Sequence, residues 1–304
     1  AVGYRLRKTM TAQLKFSLNH MATPRLDCRA FLDLAASLGC IGVELRNDLA
    51  DKRLSTAAFF DGEAPTVIGS YARSKGLRLL GLSEAYGFNA WSDGMRAKVQ
   101  MLIDQATQAG AESISLIPRN DAPQYAAGER DEALRRSLGE ILPMLASANL
   151  VALIEPLGFV TSSLRHKADA IAAIEAVGGE AHYKLVHDTF HHHLADERDV
   201  FPAYTGIVHI SGVIDQGLRT EQMQDGHRIL VDDRDRLGNV VQIRALLDNG
   251  YAGAFSYEPF STDVHRLANP AGAIGSSMDF IRGSLEAAGP LADATSGKNV
   301  RLDK

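Results

Sequence analysis

Four short apolar runs in this chain each lead to a residue able to bind a metal ion. Leu150–Ile154 leads to Glu155, Tyr183–His187 to Asp188, Gly206–Val208 to His209, and Ala254–Tyr257 to Glu258. Runs of this length and composition read as strands. A single acid after a strand has an ordinary explanation as a helix cap, and a single histidine there as a hydrogen-bonded core residue. Four such endings in four successive strand units point to one shared site. Three carboxylates and one imidazole form a fairly hard donor set that suits one divalent ion: Mn²⁺, Mg²⁺ or Co²⁺, with Zn²⁺ also admissible. Four protein ligands leave positions open on a five- or six-coordinate ion, where adjacent hydroxyl and carbonyl oxygens of a substrate would chelate. The ion would polarise the carbonyl and acidify the neighbouring C–H. Glu155 and Glu258 are the candidate acid–base pair. One removes that proton, and the other returns one to another carbon or to the opposite face, through an enediolate.

Other residues are candidates for holding the substrate. His191 follows Asp188 in the spacing Asp-x-x-His, which returns it to the same end of its strand; His192 and His193 read as an ordinary polar turn. After His209 comes Asp225-Gly226-His227-Arg228, and the apolar Ile229-Leu230-Val231 would fold Arg228 back over the site; His227 is a further candidate beside it. The charged run Asp232–Arg236 reads as a solvated loop. Glu84, at the end of a third predicted strand, is a candidate substrate contact, as are Asn19, His20 and Glu44 at the first two strand ends. Trp91 reads as a packed residue or a pocket wall.

These side chains need a scaffold that brings strand ends together. Strand and helix patterns alternate along the whole chain, which implies a parallel sheet. Strands are predicted over 14–19, 41–45, 77–82, 113–117 and 150–154, then up to Asp188, over 207–210, and up to Glu258. Helices are predicted over about 25–38, 64–75, 94–109, 129–148 (with Pro143 as a possible kink), 167–177, 194–203, 241–248 and 270–287. Residues 213–235 carry no apolar period and read as a long loop. Eight strand–helix units over this length fit a closed single-domain (β/α)8 TIM barrel better than an open sheet, and barrel sites sit at the carboxyl ends of the strands. The expected limits are an extension over 1–13, the barrel over 14–287 and a polar tail over 288–304.

Composition narrows the function. The 304 residues are 45% hydrophobic and 23% charged, with a formal net charge of −5 and no basic block, which argues against a nucleic-acid partner. No apolar run approaches the roughly 18 residues of a membrane span. Two cysteines, Cys28 and Cys40, make no disulfide framework, and the N-terminus is too broken for a signal peptide, so a cytoplasmic location is expected. Asn19-His20-Met21-Ala22-Thr23 stands where a dinucleotide fingerprint would follow the first strand, and no phosphate-loop motif appears.

At Leu153-Ile154-Glu155-Pro156, Asp188-Thr189-Phe190-His191, Val208-His209-Ile210-Ser211 and Tyr257-Glu258-Pro259-Phe260, the chain resembles the sugar phosphate isomerase/epimerase family with a xylose-isomerase-like barrel. That group includes inosose (2-keto-myo-inositol) isomerases, hydroxypyruvate isomerases and ketose 3-epimerases, with endonuclease IV nucleases as relatives. The resemblance covers residues 14–287. It implies Glu155, Asp188, His209 and Glu258 as metal ligands, the two glutamates as acid and base, a small sugar or inosose as substrate, and a homo-oligomer as a common assembly. The 3-epimerases carry an arginine soon after the strand-seven histidine and a Pro-Gly-x-Gly turn. Here Arg228 comes late and Leu237-Gly238-Asn239 replaces the turn, which favours an inosose-isomerase-like member. Endonuclease IV relatives need extra histidines that Glu44-Leu45-Arg46 and Leu82-Ser83-Glu84 do not offer. A dehydratase using the same enediolate is the enzymatic alternative, and a catalytically dead sugar-binding barrel the non-enzymatic one.

Overall fold

The computed structural model describes residues 14–287; the predicted extension and tail lie outside the described residues. Eight parallel strands close into a barrel: β1 (Lys15–Asn19), β2 (Gly42–Arg46), β3 (Arg78–Tyr86), β4 (Ser113–Ile117), β5 (Val151–Ile154), β6 (Tyr183–Asp188), β7 (Thr205–Ile210) and β8 (Ala254–Tyr257). Each pairs with its sequence neighbours, and β1 closes on β8 with Leu18 opposite Tyr257. The outer layer includes α1 (Cys28–Ser37), α2 (Pro65–Ser74), α3 (Asp93–Ala109), α4 (Glu129–Ala148), α5 (Lys167–Ala176), α6 (Thr189–Leu194), α7 (Asn239–Asp248), α8 (Thr262–His265) and α9 (Pro270–Ala287). The fold is a single (β/α)8 domain. Among the described residues, no helix is long and apolar enough to cross a membrane.

Local signals explain the element ends. Ser92 accepts a hydrogen bond from Met95 N at the start of α3, and Gly110, at φ +73, turns the chain out of it. Asp27 caps α1 in the same way through Ala30 N. Helix α4 continues through Pro143 to Ala148.

The two largest apolar clusters lie on opposite sides of the sheet, and a third, of Phe190, Val213, Met223 and Leu237, lies apart from both. A large apolar cluster lies between the strands and the helices. A separate small one, Leu80, Leu153, Val186, Ile207 and Ala254, fills the inside of the barrel. Strand side chains alternate between faces, so the residue two positions further along each strand faces the same interior. On β5 to β8 those residues are Glu155, Asp188, His209 and Ser256, and two beyond Ser256 is Glu258; on β3 a register shift opposite Val43 and Glu44 turns Leu82 outward into the main cluster. The barrel interior is thus apolar below and charged at its carboxyl end.

Two expectations need correction. The helix predicted over 194–203 forms earlier, as α6. The Asp188 carboxylate accepts hydrogen bonds from Phe190 N (2.8 Å) and His191 N (3.0 Å), so the helix starts as soon as the strand ends. Beyond it, Asp196 (φ 54) and Phe201 (φ 47) adopt left-handed backbone that interrupts any helix. The third strand runs to Tyr86, with a register irregularity between Leu82 and Ala85, so Glu84 lies within it and not at its end. The 213–235 segment is ordered by short 3-10 turns at Thr220–Gln222 and Asp225–His227 and by a bridge between Gly212 and Ile229.

Candidate metal centre

The sheet ladder fixes the four ligand candidates. Glu155 N donates to Leu116 O of β4 (3.1 Å) and Glu258 N to Ile210 O of β7 (3.0 Å), which carries the strand pairing one residue past β5 and β8. Asp188 and His209 are direct partners across β6 and β7. The result is a buried cluster in which Glu155, Asp188, His209 and Glu258 each offer a ligand atom within 4.8 Å of the others. Three carboxylates and an imidazole so close together could hold a divalent cation.

His209 tests that fit. Its Nε2 lies 3.0 and 3.1 Å from the two carboxylate oxygens of Glu44. A carboxylate only accepts, so Nε2 carries the proton. Glu44 is itself fixed by Ser256 Oγ (2.6 Å) and Asn19 Nδ2 (3.4 Å). The other ring nitrogen, Nδ1, faces the acids, 3.2 Å from Glu258, 3.7 Å from Glu155 and 4.0 Å from Asp188. It is buried and makes no hydrogen bond. A histidine whose outer N–H is held by a carboxylate, and whose inner nitrogen is unpartnered among acids, has the usual arrangement of a metal-bound imidazole. The donor set therefore fits the group. Burial works against protonation of His209, but the charges of Glu258, Glu44 and Glu155 hold its pKa well above the ordinary value. A cation or a proton must neutralise the cluster there.

The two glutamates differ in environment. Burial and the nearby charge of Glu258 raise the Glu155 carboxyl to about 7. Burial acts the same way on Glu258, but His209, Arg228 and Arg46 outweigh it and hold that carboxyl below the usual range. Arg228 Nη2 donates to Asp188 Oδ2 (2.5 Å) and Glu258 Oε2 (3.1 Å), and its Nε donates to Ser211 Oγ (2.9 Å). Its guanidinium also lies over the rings of Phe260 and Phe190. The apolar stretch after it does turn inward, with Val231 buried beside the main core.

His191 also reaches the cluster. Gly158 N donates to its Nδ1 (3.2 Å), which leaves Nε2 as the N–H, 3.9 Å from Glu155 Oε1. Burial lowers its pKa, so the ring is a neutral donor. A side chain at residue 158 would put Cβ 2.3 Å from His191 O, so only glycine allows the loop after β5 to pack so closely on α6.

The remaining candidates lie elsewhere. Glu44 stands behind His209. His20 stacks on Phe31 (centroids 4.3 Å apart), and its Nε2 bonds Leu26 O. Glu84 sits beside the cluster, 3.3 Å from Arg46. His227 is half-buried, and its Nδ1 accepts from Gln224 N within its own turn; no contact ties it to the acids. Trp91 packs on the main core beneath the Arg96 guanidinium.

Sequence reasoning missed Arg46. Its guanidinium bonds Glu258 Oε1 (2.7 Å) and forks onto Asp48. The signal was present: Glu44 and Arg46 are two apart on one strand, so both face the interior.

Comparison with known proteins agrees with this architecture. The chain belongs to the xylose isomerase-like TIM barrel family, whose pattern matches residues 32–284. Among solved structures, it is similar to a xylose isomerase domain containing protein from Salmonella typhimurium LT2 (28% identity, TM-score 0.79, covering 90% of this chain and 97% of that one). It also shares the fold of the IolI protein with a bound zinc atom (15% identity, TM-score 0.76, 90% and 99% covered). The same holds for D-psicose 3-epimerase from Clostridium cellulolyticum H10 in complex with D-tagatose (16% identity, TM-score 0.67, 90% and 99% covered). A search of curated proteins returned no match.

Proposed function

We propose that this chain is a metal-dependent isomerase or epimerase of a small unphosphorylated polyol ketone or ketose, with an inosose (2-keto-myo-inositol) as the favoured substrate. One observation carries the reading: Glu155, Asp188, Glu258 and the unpartnered Nδ1 of His209 converge at the carboxyl end of the barrel. The zinc atom bound by IolI and the sugar complex of D-psicose 3-epimerase support it as properties of those proteins on the same fold.

Glu155, Asp188, His209 and Glu258 would hold the ion. When bound, it would polarise a substrate carbonyl and lower the pKa of the adjacent C–H. The other steps belong to the protein. Glu258, whose oxygens accept hydrogen bonds from Arg46 and Arg228, is placed to take the C–H proton. Glu155 is placed to return one from the other side of the cluster. The Nε2–H of His191 and the guanidinium of Arg228 would bind substrate oxygens. The Phe190 and Phe260 rings against Arg228 limit water on that side.

Proton NMR in D₂O tests this reading. Inososes and ketoses would be incubated with metal-loaded protein and with a chelator-treated control. Metal-dependent loss of one signal beside the carbonyl is expected, and the carbon that gains deuterium separates the two outcomes: the former carbonyl carbon for isomerisation, the original carbon with inverted configuration for epimerisation. No exchange on any candidate, with metal confirmed in the site, rejects the reading.

A further inference from the structure

We propose that Arg46, held by Asp48, is a positioning residue that fixes the rotation of the Glu258 carboxylate so that one oxygen, Oε2, faces the cluster. The inference rests on the metal reading above and concerns one residue pair within it.

The geometry is a chain of fixed contacts. Arg46 Nε donates to Asp48 Oδ1 (2.8 Å) and its Nη2 to Asp48 Oδ2 (2.7 Å). Two parallel hydrogen bonds from a planar guanidinium lock its orientation as a single point charge cannot. The free edge of that plane, Nη1, donates to Glu258 Oε1 at 2.7 Å. Nη2 makes a second, longer contact with Glu84 Oε2 (3.3 Å), and the Phe260 ring lies 5.8 Å from the guanidinium carbon. The Arg46 side chain is 4% exposed and that of Glu258 2%, so these bonds act without competition from bulk water.

Arg46 anchors Oε1 away from the cluster, and Oε2 is the oxygen turned toward it. That atom lies 3.2 Å from His209 Nδ1 and 3.1 Å from Arg228 Nη2. Glu155 is held more loosely: His209 Nδ1 and His191 Nε2 lie 3.7 and 3.9 Å from its Oε1. A carboxylate free to rotate can offer a cation both oxygens. Glu258 is restricted to one, which keeps a position available for a substrate oxygen and holds the carboxylate in one orientation toward the C–H bond.

The Arg46–Asp48 fork, not the positive charge alone, carries this role, so the test separates the two. The protein would be loaded with Co²⁺, whose visible absorption weakens as its coordination number rises. Arg46→Lys keeps the charge and loses the fork. It is expected to weaken the Co²⁺ band and to lower turnover in the exchange assay about 10- to 100-fold, the usual cost of losing an outer partner of a ligand. Asp48→Asn, which leaves Arg46 in place and is the milder change to the fold, should shift the band in the same direction. In Arg46→Gly, added guanidinium ion should restore the band. A lysine variant with the unmutated spectrum and turnover would overturn the positioning role, as would an unchanged spectrum in Asp48→Asn. Failure of the unmutated protein to take up Co²⁺, Mn²⁺ or Zn²⁺ would overturn the metal reading itself, a result recognisable before any variant is made.

Discussion

Single side chains decide whether this cluster is reactive. Glu258 is both a ligand candidate and the base candidate. Glu258→Gln keeps the shape and removes the charge, so turnover should fall at least about 100-fold while calorimetry still detects substrate binding. Full activity in that variant would remove Glu258 from the acid–base role. Glu44 works through His209, whose Nε2–H it holds at 3.0 Å. In Glu44→Ala the ring loses its fixed tautomer, and divalent metal affinity should weaken roughly 10- to 100-fold; an unchanged titration would mean that the strand alone orients the ring. His20 makes stability depend on pH, because burial keeps its ring neutral in the folded chain. Burial lowers its pKa to about 4, against about 6.5 in an unfolded chain. Between those values the unfolded chain binds the extra proton, so stability falls as the pH is lowered from about 6.5 towards 4. The loss attributable to His20 is on the order of 3 kcal/mol. His20→Gln keeps a donor for Leu26 O but does not titrate, so its denaturation free energy should depend less steeply on pH across that window. Identical slopes in the two proteins would refute this assignment.

At the scale of elements, the site depends on two close approaches. The first is the loop after β5 against α6, where Gly158 N–H holds His191 Nδ1. Gly158→Ala would place a methyl 2.3 Å from His191 O and 2.7 Å from Leu194 Cβ, so the loop and helix must separate. Overpacking of this kind costs about 1–3 kcal/mol. Both the melting temperature and kcat/KM should drop, because His191 moves with its helix. An alanine variant with unchanged kinetics would show that His191 does not touch the substrate. The second approach is the return of the segment after β7. The Gly212–Ile229 bridge, together with Phe260 N and Ser261 N donating to Arg228 O (3.1 and 2.8 Å), brings Arg228 over the mouth.

At the scale of the molecule, the barrel gathers acids that repel one another in a buried space. A bound divalent ion relieves that repulsion only in the folded chain, so metal and fold stabilise each other. With metal at a hundredfold excess over its Kd the gain is about 2.7 kcal/mol. In a domain of this size each kcal/mol corresponds to roughly 2–4 °C in Tm. Chelation should therefore lower the melting temperature by several degrees and abolish exchange activity, and re-addition of Mn²⁺ or Zn²⁺ should restore both. A melting curve indifferent to both chelator and metal would argue against the cluster as a cation site.

The sequence by itself determined the architecture and the four ligand candidates. Alternating strand and helix patterns define the barrel, and a barrel of parallel strands must bring the ends of its strands to one face. Glu155, Asp188, His209 and Glu258 were legible because each directly follows an apolar run, where strand periodicity dictates its direction. Tertiary structure alone decided what surrounds them. Arg46 and Asp48 are local neighbours in the chain, but their importance comes from Glu258, 212 positions from Arg46, which becomes a neighbour only when β1 closes the barrel between β2 and β8. Glu44 has the same history, since its partner His209 lies 165 positions away. The position of α6 was misread because the apolar period gave no sign that the Asp188 carboxylate would also serve as a cap. His227 adjoins Arg228 in sequence, yet its ring closes a turn while Arg228 reaches the acids. In a loop without strand or helix periodicity, side-chain direction is set by tertiary contacts, and no spacing rule can supply it.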